Sequence, residues 1–347
     1  MPTLSNFRAK FLSVAKWLGI IIAILVVSFI LIRIIFLIKE AVSPTPPPAP
    51  TASFGKLPKI FFPEGIKKKF TFTIDTISGE LPSFPDRSNV YKMDKPGPDL
   101  LAVQRTMEKA IALDFNSTPQ ALSESLYRFT APGPPPKSLV LNINMSSFNL
   151  YSSYLSDPGV LSAVNLPNEN EAISVAQNFL QTLGFFSEDI DQGKTRTEFY
   201  DLNNGILGPV TNISKAKLIS VYFFQKDIDD IVIVYPNGNA SVMNLVVARG
   251  ESGPQIVNAR FFYQKVLDEG AAYPIKTAQE AFEDLRKGEA YIASYEGTDL
   301  NIVIKKVYLG FYVEGRSQDY LLPVIVFEGA NDFIAYVSAV KAEWISN

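Results

Sequence analysis

Hydrophobic and polar positions change period several times along this chain. Near its start, residues 17–38 form an apolar run that a single charge, Arg33, interrupts. At about 1.5 Å per residue in a helix, a run of this length spans roughly 33 Å, enough to cross a hydrocarbon core of roughly 30 Å. The pattern predicts a transmembrane signal anchor at 17–38, after a short cytoplasmic segment at 1–16.

Arg33 lies near the end of the apolar run, where a long side chain can reach the lipid headgroups. We interpret it either as an interfacial residue or as a polar contact for the transmembrane helix of a partner. Basic residues precede the run at Arg8, Lys10 and Lys16, so the positive-inside rule puts the N-terminus in the cytoplasm. The sequence predicts a single-pass cell membrane protein that meets the lipid bilayer through 17–38.

A proline-rich stretch follows the apolar run and contains the letters SPTPPPAPTA. Proline favours the extended polyproline II form. Residues 39–57 are therefore predicted to be a semi-rigid stalk that carries an extracytoplasmic folded part.

The first part of the folded region, residues 58–160, begins with alternating apolar and polar positions. The letters KFTFTIDTISG alternate with period two, which predicts a half-buried strand. The period then changes in DLLAVQRTMEKAIAL, which predicts a helix with Asp99 as its N-cap and an apolar face that includes Leu100, Leu101 and Ile111. Further strands follow. We predict a first α+β domain at 58–160.

The second part, residues 165–347, is predicted to hold two similar units, at about 165–265 and 273–345. In the first, Asn168 caps a helix that ends at Gly184, strands follow, and YPNGNA supplies a turn between two of them. The helix has an apolar stripe of Ala172, Ile173, Ala176, Phe179, Leu180 and Leu183.

The later unit repeats this order of elements. Thr277 and Glu280 have the spacing of a capping box, and Gly288 ends the helix. Its predicted apolar stripe is Ala278, Ala281, Phe282 and Leu285. Three strands follow, and Pro323 is predicted to start its strand or to lie at a sheet edge, because proline has no N–H to donate.

These patterns together predict an α+β fold. Antiparallel sheets would each be covered on one face by an amphipathic helix, in two or three repeated helix-plus-meander units.

The amino-acid composition excludes several classes of chemistry. The 347 residues include no Cys and no His, which excludes disulfides, zinc ribbons, catalytic triads and imidazole acid–base catalysis. The net charge of −3 and the absence of a basic face with aromatics argue against a nucleic-acid partner. The Lys67-Lys68-Lys69 run is interpreted as a solvated strand entry in preference to a phosphate or lipid contact.

No motif in the sequence predicts a catalytic, cofactor or metal site. The letters GKT at 193–195 lack the earlier glycine of a phosphate loop. The acidic clusters at 188–191 and 227–230 lack the ligand spacing of a calcium loop and are interpreted as solvated loops. A pair of carboxyl groups for glycoside hydrolysis stays open, because sequence gives no distances.

The last unit also resembles a known family. The letters YPIKTAQEAFEDLRKGEAYI, VYLGFYVEG, YLLPVIVFEG and FIAYVSAV are similar to the C-terminal region of the YycI/YycH family, most clearly over about 270–340. Members of that family are membrane-anchored extracytoplasmic regulators of a cell-wall sensor kinase, and related PepSY-like modules share the helix-then-hairpin pattern. The resemblance implies a bacterial, non-enzymatic protein that acts through protein contacts.

From the sequence we therefore expect a membrane-anchored cell-envelope protein that regulates or assists a partner such as a two-component sensor kinase. The alternative is a ligand- or glycan-binding ectodomain, or a carboxylate-dependent cell-wall hydrolase.

Overall fold

A computed structural model describes residues 25–29, 33, 51–97, 99–133, 135–163, 166–203, 205–250 and 253–346. The chain divides into two compact units, Met1–Ala49 and Pro50–Asn347. The second unit contains the strands and all the cavities considered below.

The predicted membrane location is wrong on this structure. In the part of the chain that the structure describes, no helix has both the length and the apolar character needed to cross a membrane. All of residues 1–16 and most of 17–38 and 39–57 lie outside the described residues. Of the predicted anchor, residues 25–29 and Arg33 are described; they are helical, and the Arg33 guanidinium lies 5.9 Å from the Phe29 ring centroid.

Most of the second unit consists of β-strands. In chain order they are β1 (Thr71–Ile74), β2 (Arg87–Met93), β3 (Gln120–Ala121), β4 (Leu126–Ala131), β5 (Lys137–Asn142), β6 (Ser146–Ser152), β7 (Arg196–Asn203), β8 (Ile206–Val210), β9 (Leu218–Tyr222), β10 (Val232–Val234), β11 (Met243–Gly250), β12 (Gly253–Tyr263), β13 (Val266–Pro274), β14 (Tyr291–Ser294), β15 (Asn301–Tyr312), β16 (Tyr320–Gly329) and β17 (Phe333–Ser338).

The described strands form two large sheets. The nine-stranded sheet has the order β3-β4-β5-β6-β12-β11-β9-β7-β8 and is antiparallel throughout. The eight-stranded sheet has the main order β1-β15-β16-β17-β14, with β10 also on β15, and with β2 joining β16 to β13. The α+β content is therefore as predicted. The antiparallel prediction is wrong for two pairs, since β1 and β10 both run parallel to β15.

Helices cover parts of these sheets. They are α1 (Ala102–Ile111), α2 (Pro158–Ser162), α3 (Glu169–Leu183) and α4 (Ala278–Lys287), with short 3-10 turns at Tyr154–Ser156, Gln192–Lys194, Ile213–Lys215 and Ala342–Trp344. The helix α3 packs on β9, β11 and β12, and α4 packs on β17. Their buried residues lie within the two largest apolar clusters of the described residues.

The predicted ends of α3 and α4 are confirmed. Asn168 accepts a hydrogen bond from the Glu171 N–H, and Thr277 and Glu280 form both bonds of a capping box. Both helices end at a glycine with left-handed backbone, Gly184 with φ 68° and Gly288 with φ 80°. The YPNGNA turn between β10 and β11 is confirmed too, with Gly238 at φ 63°.

Two local predictions are wrong. The helix α1 begins after Leu101, not Asp99, and Leu100, Leu101 and Ile111 are exposed instead of packed. Pro323 lies inside β16, a central strand. It fits there because, on the edge away from β15, the strand changes partner from β2 at Leu321 to β17 at Val324. On that edge no residue of a neighbouring strand is paired with Pro323, so its missing N–H leaves no hydrogen bond between strands unmade.

The domain boundary predicted near 160–165 remains a prediction, but strands from both sides of it share each sheet. In the nine-stranded sheet β6 pairs with β12, and in the eight-stranded sheet β2 pairs with β13.

Candidate functional site

A cleft of 350 Å³ opens where the end of the nine-stranded sheet meets β10 of the other sheet. We call it the β10 cleft. Its lining residues are Lys194, Arg196, Phe224, Val232, Ile233, Val234, Tyr235, Gly238, Asn239, Tyr308, Ile334 and Tyr336. This volume falls in the range of about 300–1,000 Å³ that is typical of ligand pockets.

A close approach of two strands forms the floor of the cleft. The strand β10 pairs in parallel with β15, so that Val232 lies opposite Gly310 and Val234 opposite Tyr312. A Cβ atom on Gly310 would lie 3.1 Å from Val234 Cγ1 and 3.2 Å from Val326 Cγ2, which is tighter than ordinary van der Waals contact. The absence of a side chain at Gly310 therefore lets β10 settle against β15.

Two basic side chains, each beside a carboxylate, form the rim of the cleft. Arg196 extends from β7, with its guanidinium 5.5 Å from the Tyr222 ring centroid and 5.8 Å from that of Phe224. It donates to the Asn239 carbonyl at 2.7 Å and lies 3.2 Å from a Glu198 oxygen. Lys194 is paired with Asp227. The aromatic contacts hold Arg196 in one orientation at the mouth of the cleft.

Two buried polar atoms at this rim lack partners. Arg196 Nε and the neighbouring Thr195 Oγ1 are buried and have no hydrogen-bond partner among the described residues. Buried polar groups in proteins are almost always hydrogen-bonded, since an unsatisfied one costs about 1–3 kcal/mol. Both atoms are therefore unsatisfied, and they lie beneath the surface of the rim.

Two tyrosines of the cleft, Tyr308 and Tyr336, are neutral hydrogen-bond donors. Tyr336 donates to the Tyr235 carbonyl at 3.0 Å, and the Tyr308 hydroxyl is hydrogen-bonded to Glu328. Burial raises the pKa of Tyr336 and of Tyr308, and the Glu328 carboxylate raises the pKa of Tyr308 further. The described lining contains no carboxylate, so the cleft combines apolar walls with two basic side chains at its rim.

An interrupted strand edge adjoins the cleft. On the edge of β15 away from β16, β1 pairs at Asn301–Ile304 and β10 pairs at Gly310–Tyr312. Between them, residues 305–309 have no strand partner on this edge within the described parts of the chain. We call this interval the β15 gap. Tyr308 belongs both to the gap and to the wall of the cleft.

A second, wider groove of 1020 Å³ gathers basic residues from distant parts of the chain. Lys67, Lys68 and Lys69 line it together with Arg286 and Lys287 at the end of α4. The Ile66 N–H donates to the Ile292 carbonyl at 3.3 Å, which places the lysine run beside β14. Glu64 and Glu289 also line the groove, and Glu64 pairs with Lys67. The lysine run is thus partly neutralised and solvated.

The remaining sequence-based candidates do not converge on the cleft as a group. Of the two acidic clusters, only Asp227 reaches it, through its pairing with Lys194. No cluster of metal-ligating side chains occurs among the described residues. Arg33, the predicted partner contact, belongs to the other compact unit. The sequence did not single out Arg196, Tyr308 and Tyr336. Strand residues that point into a cleft recur at every second position, as residues that point into the core do, so the pattern cannot distinguish them.

Comparisons with known proteins give distant structural likeness but no family. No family model matches the chain, and no curated protein matches it. In structure the chain is similar to the crystal structure of an uncharacterized protein from Eubacterium rectale ATCC 33656, with 13% sequence identity and a TM-score of 0.42, over 78% of this chain and 89% of that chain.

Proposed function

We propose that this chain is a non-enzymatic recognition protein that binds an extended segment of a partner protein. The segment would add a short strand at the β15 gap and place an apolar side chain in the β10 cleft. A neighbouring carboxylate of the segment would meet Arg196. The observation that carries this proposal is the interval of β15 without a strand partner beside an apolar cleft with two basic side chains at its rim.

Strand addition suits the geometry of the gap. Unpaired backbone groups of an edge can bind an extended peptide, and pockets for alternate side chains then provide specificity. The ends of the gap are fixed, since the Asp75 N–H donates to the Ile304 carbonyl at 2.9 Å on one side and Val232 pairs with Gly310 on the other. An added strand would continue the direction of β1 and β10.

Charge favours an acidic partner segment. Arg196 lines the mouth of the cleft, and a guanidinium binds carboxylate oxygens through parallel hydrogen bonds. Because residues 270–340 resemble YycI/YycH regulators, a two-component sensor kinase is the first partner to test. We also propose that 165–265 and 273–345 repeat one helix-plus-meander plan, which the similar caps of α3 and α4 support.

The proposal is tested by selecting short peptides on the full chain and measuring their affinity by fluorescence polarisation. We expect selected peptides to carry an acidic residue next to an aromatic or aliphatic one. Methylation of alternate backbone nitrogens should abolish binding, while methylation of the intervening ones should not, because only one edge of the added strand faces β15.

Arg196→Glu should weaken the selected peptides at least about tenfold, because it replaces an attractive charge with a repulsive one. Arg128→Glu on β4 is the matched control, since β4 lies near the opposite edge of the nine-stranded sheet. The proposal is wrong if Arg196→Glu leaves peptide affinity unchanged, or if N-methylation shows no alternation.

A further inference from the structure

A separate cavity of 540 Å³ lies near the other end of the nine-stranded sheet. We call it the Lys137 cavity. Residues 112–115 after α1, residues 131–133 and 135 between β4 and β5, and the facing ends of β11 and β12 line it. Its walls expose polar and apolar surface in about equal parts, and the apolar part includes the buried side chains of Phe115, Leu150 and Ile256 and the partly buried Phe179.

Lys137 is the cation of this cavity. It begins β5, where it lies opposite Ala131 of β4 and Ser152 of β6, so its backbone is fixed from both sides. The side chain is half-buried, and its ammonium has no hydrogen bond or ion pair with any described residue. The ammonium is not fully buried, so a ligand that enters the cavity can meet it, while the partial loss of hydration disfavours an isolated charge.

One acidic residue, Asp114, lines the same cavity. It has a left-handed backbone, φ 63°, in the turn that follows α1. Burial lowers the pKa of Lys137, and the charge of Asp114 opposes this effect only in part. The internal carboxylate therefore does not replace the water that the ammonium has lost.

We propose that the Lys137 cavity binds a small organic anion. The acidic group of the ligand would accept charge-assisted hydrogen bonds from the Lys137 ammonium, and its apolar body would pack against Phe115 and Phe179. The volume lies in the range of about 300–1,000 Å³ for small-molecule sites, and a lining that offers both apolar side chains and a placed charge can hold both ends of such a ligand. This site is distinct from the β10 cleft and does not depend on the function proposed above.

The experiment uses the full chain with two probes that combine an anionic group and an apolar body, anilinonaphthalene sulfonate and octanoate. We expect the sulfonate to bind saturably with a rise in fluorescence, and octanoate to displace it. Lys137→Met should weaken the sulfonate at least about tenfold, and Lys137→Arg should retain most of the affinity because it keeps the charge. Thermal melts of each variant establish that the fold is intact.

Lys109→Met is the matched control. Burial also lowers the pKa of Lys109, but this lysine lies over the Phe185 ring, outside the cavity. Neither Lys109→Met nor Arg196→Glu should change the affinity for the sulfonate. The result for Arg196→Glu therefore distinguishes a failure of the anion-binding proposal from a failure of the peptide-binding proposal.

A second measurement needs no variant. Reductive methylation of the wild-type chain, read by mass spectrometry, should slow at Lys137 when octanoate is present and should not slow at Lys109. The proposal is overturned if Lys137→Met binds the sulfonate as the wild type does, or if octanoate leaves methylation of Lys137 unchanged. The labelling result decides the matter if Lys137→Met fails to fold.

Discussion

At the scale of the residue, one hydroxyl joins two parts of the chain that are far apart in sequence. Tyr91 on β2 is hydrogen-bonded to Asp229, and Asn89 donates to the same carboxylate oxygen at 2.9 Å. Asp229 lies in a tight turn before β10, with φ 52°. Burial, with the bond to Asp229, raises the pKa of Tyr91 to about 12. The turn that leads into β10 is thereby attached to β2.

Asp229→Asn should lower the pKa of Tyr91 below about 12 without restoring the ordinary value of 10.0, because burial, the larger cause, remains. Asparagine also tolerates a left-handed backbone, so the turn should persist. The pKa is measured from the ¹³Cζ tyrosine signal during alkaline titration, and Tyr91→Phe identifies the signal.

Because the pKa of Tyr91 is raised in the folded protein, the direction in which the free energy of unfolding changes with pH is fixed. The contribution of Tyr91 is fully present below pH 10 and declines as the pH rises toward 12. Urea unfolding across this interval should therefore show a smaller loss in Asp229→Asn than in the wild type. An unchanged Tyr91 pKa in the variant would refute the role of the Asp229 charge.

At the scale of the element, the capping box of α4 allows a matched measurement. Thr277→Ala should reduce the free energy of unfolding by about 1 kcal/mol, because the Glu280 N–H loses its acceptor. Thr182→Ala is the control. Thr182 is exposed within α3 and bonds only the carbonyl of Asn178, so alanine there should be neutral or slightly stabilising.

The capping box also has a pH dependence. The Thr277 N–H donates to Glu280 at 2.7 Å, and this backbone bond is the main cause that lowers the pKa of Glu280 below 4.5. The stability from this bond is present above pH 4.5 and is lost as the pH falls. The stability deficit of Glu280→Gln in urea unfolding should shrink on acidification, and a deficit that grows would contradict this assignment.

Elements whose signals are local were predictable. Caps, apolar stripes and terminal glycines placed α3 and α4 correctly, because each signal acts within one or two helical turns. The prediction failed at α1, where Asp99 does accept from the Leu101 N–H but lies two residues before the N-cap position. The spacing of apolar residues could not show that Leu100 and Leu101 are left exposed, with no surface to pack against.

At the scale of the whole molecule, the sites depend on pairings that no local period encodes. The β15 gap exists because β1 and β10, more than a hundred residues apart in the chain, both pair with β15. The Lys137 cavity likewise needs β5 beside the ends of β11 and β12. Composition excluded imidazole and thiol chemistry, but it could not place Arg196 or Lys137 at a cavity.

The two sheets are joined by buried glutamines. Gln225 follows β9, Gln264 lies between β12 and β13, and Gln318 lies between β15 and β16. They are 3%, 3% and 8% exposed. The Gln264 side chain donates to the Asp94 carbonyl at 2.8 Å and to the Gln318 carbonyl at 2.9 Å, and it accepts from the Gln318 N–H at 3.1 Å. Each of these bonds joins two connecting segments that adjoin different strands.

Gln264→Leu keeps the size of the side chain but removes all three of these bonds. We expect a loss of about 3 kcal/mol in urea unfolding, at about 1 kcal/mol or more for each buried backbone group left unsatisfied. Amide exchange should quicken around Asp94 and Gln318, because the loss falls on the junction and not within either sheet. Gln279→Leu on the exposed face of α4 is the control and should change neither measurement. If exchange quickened evenly over both sheets instead, the glutamines would stabilise the unit as a whole without acting as its joint.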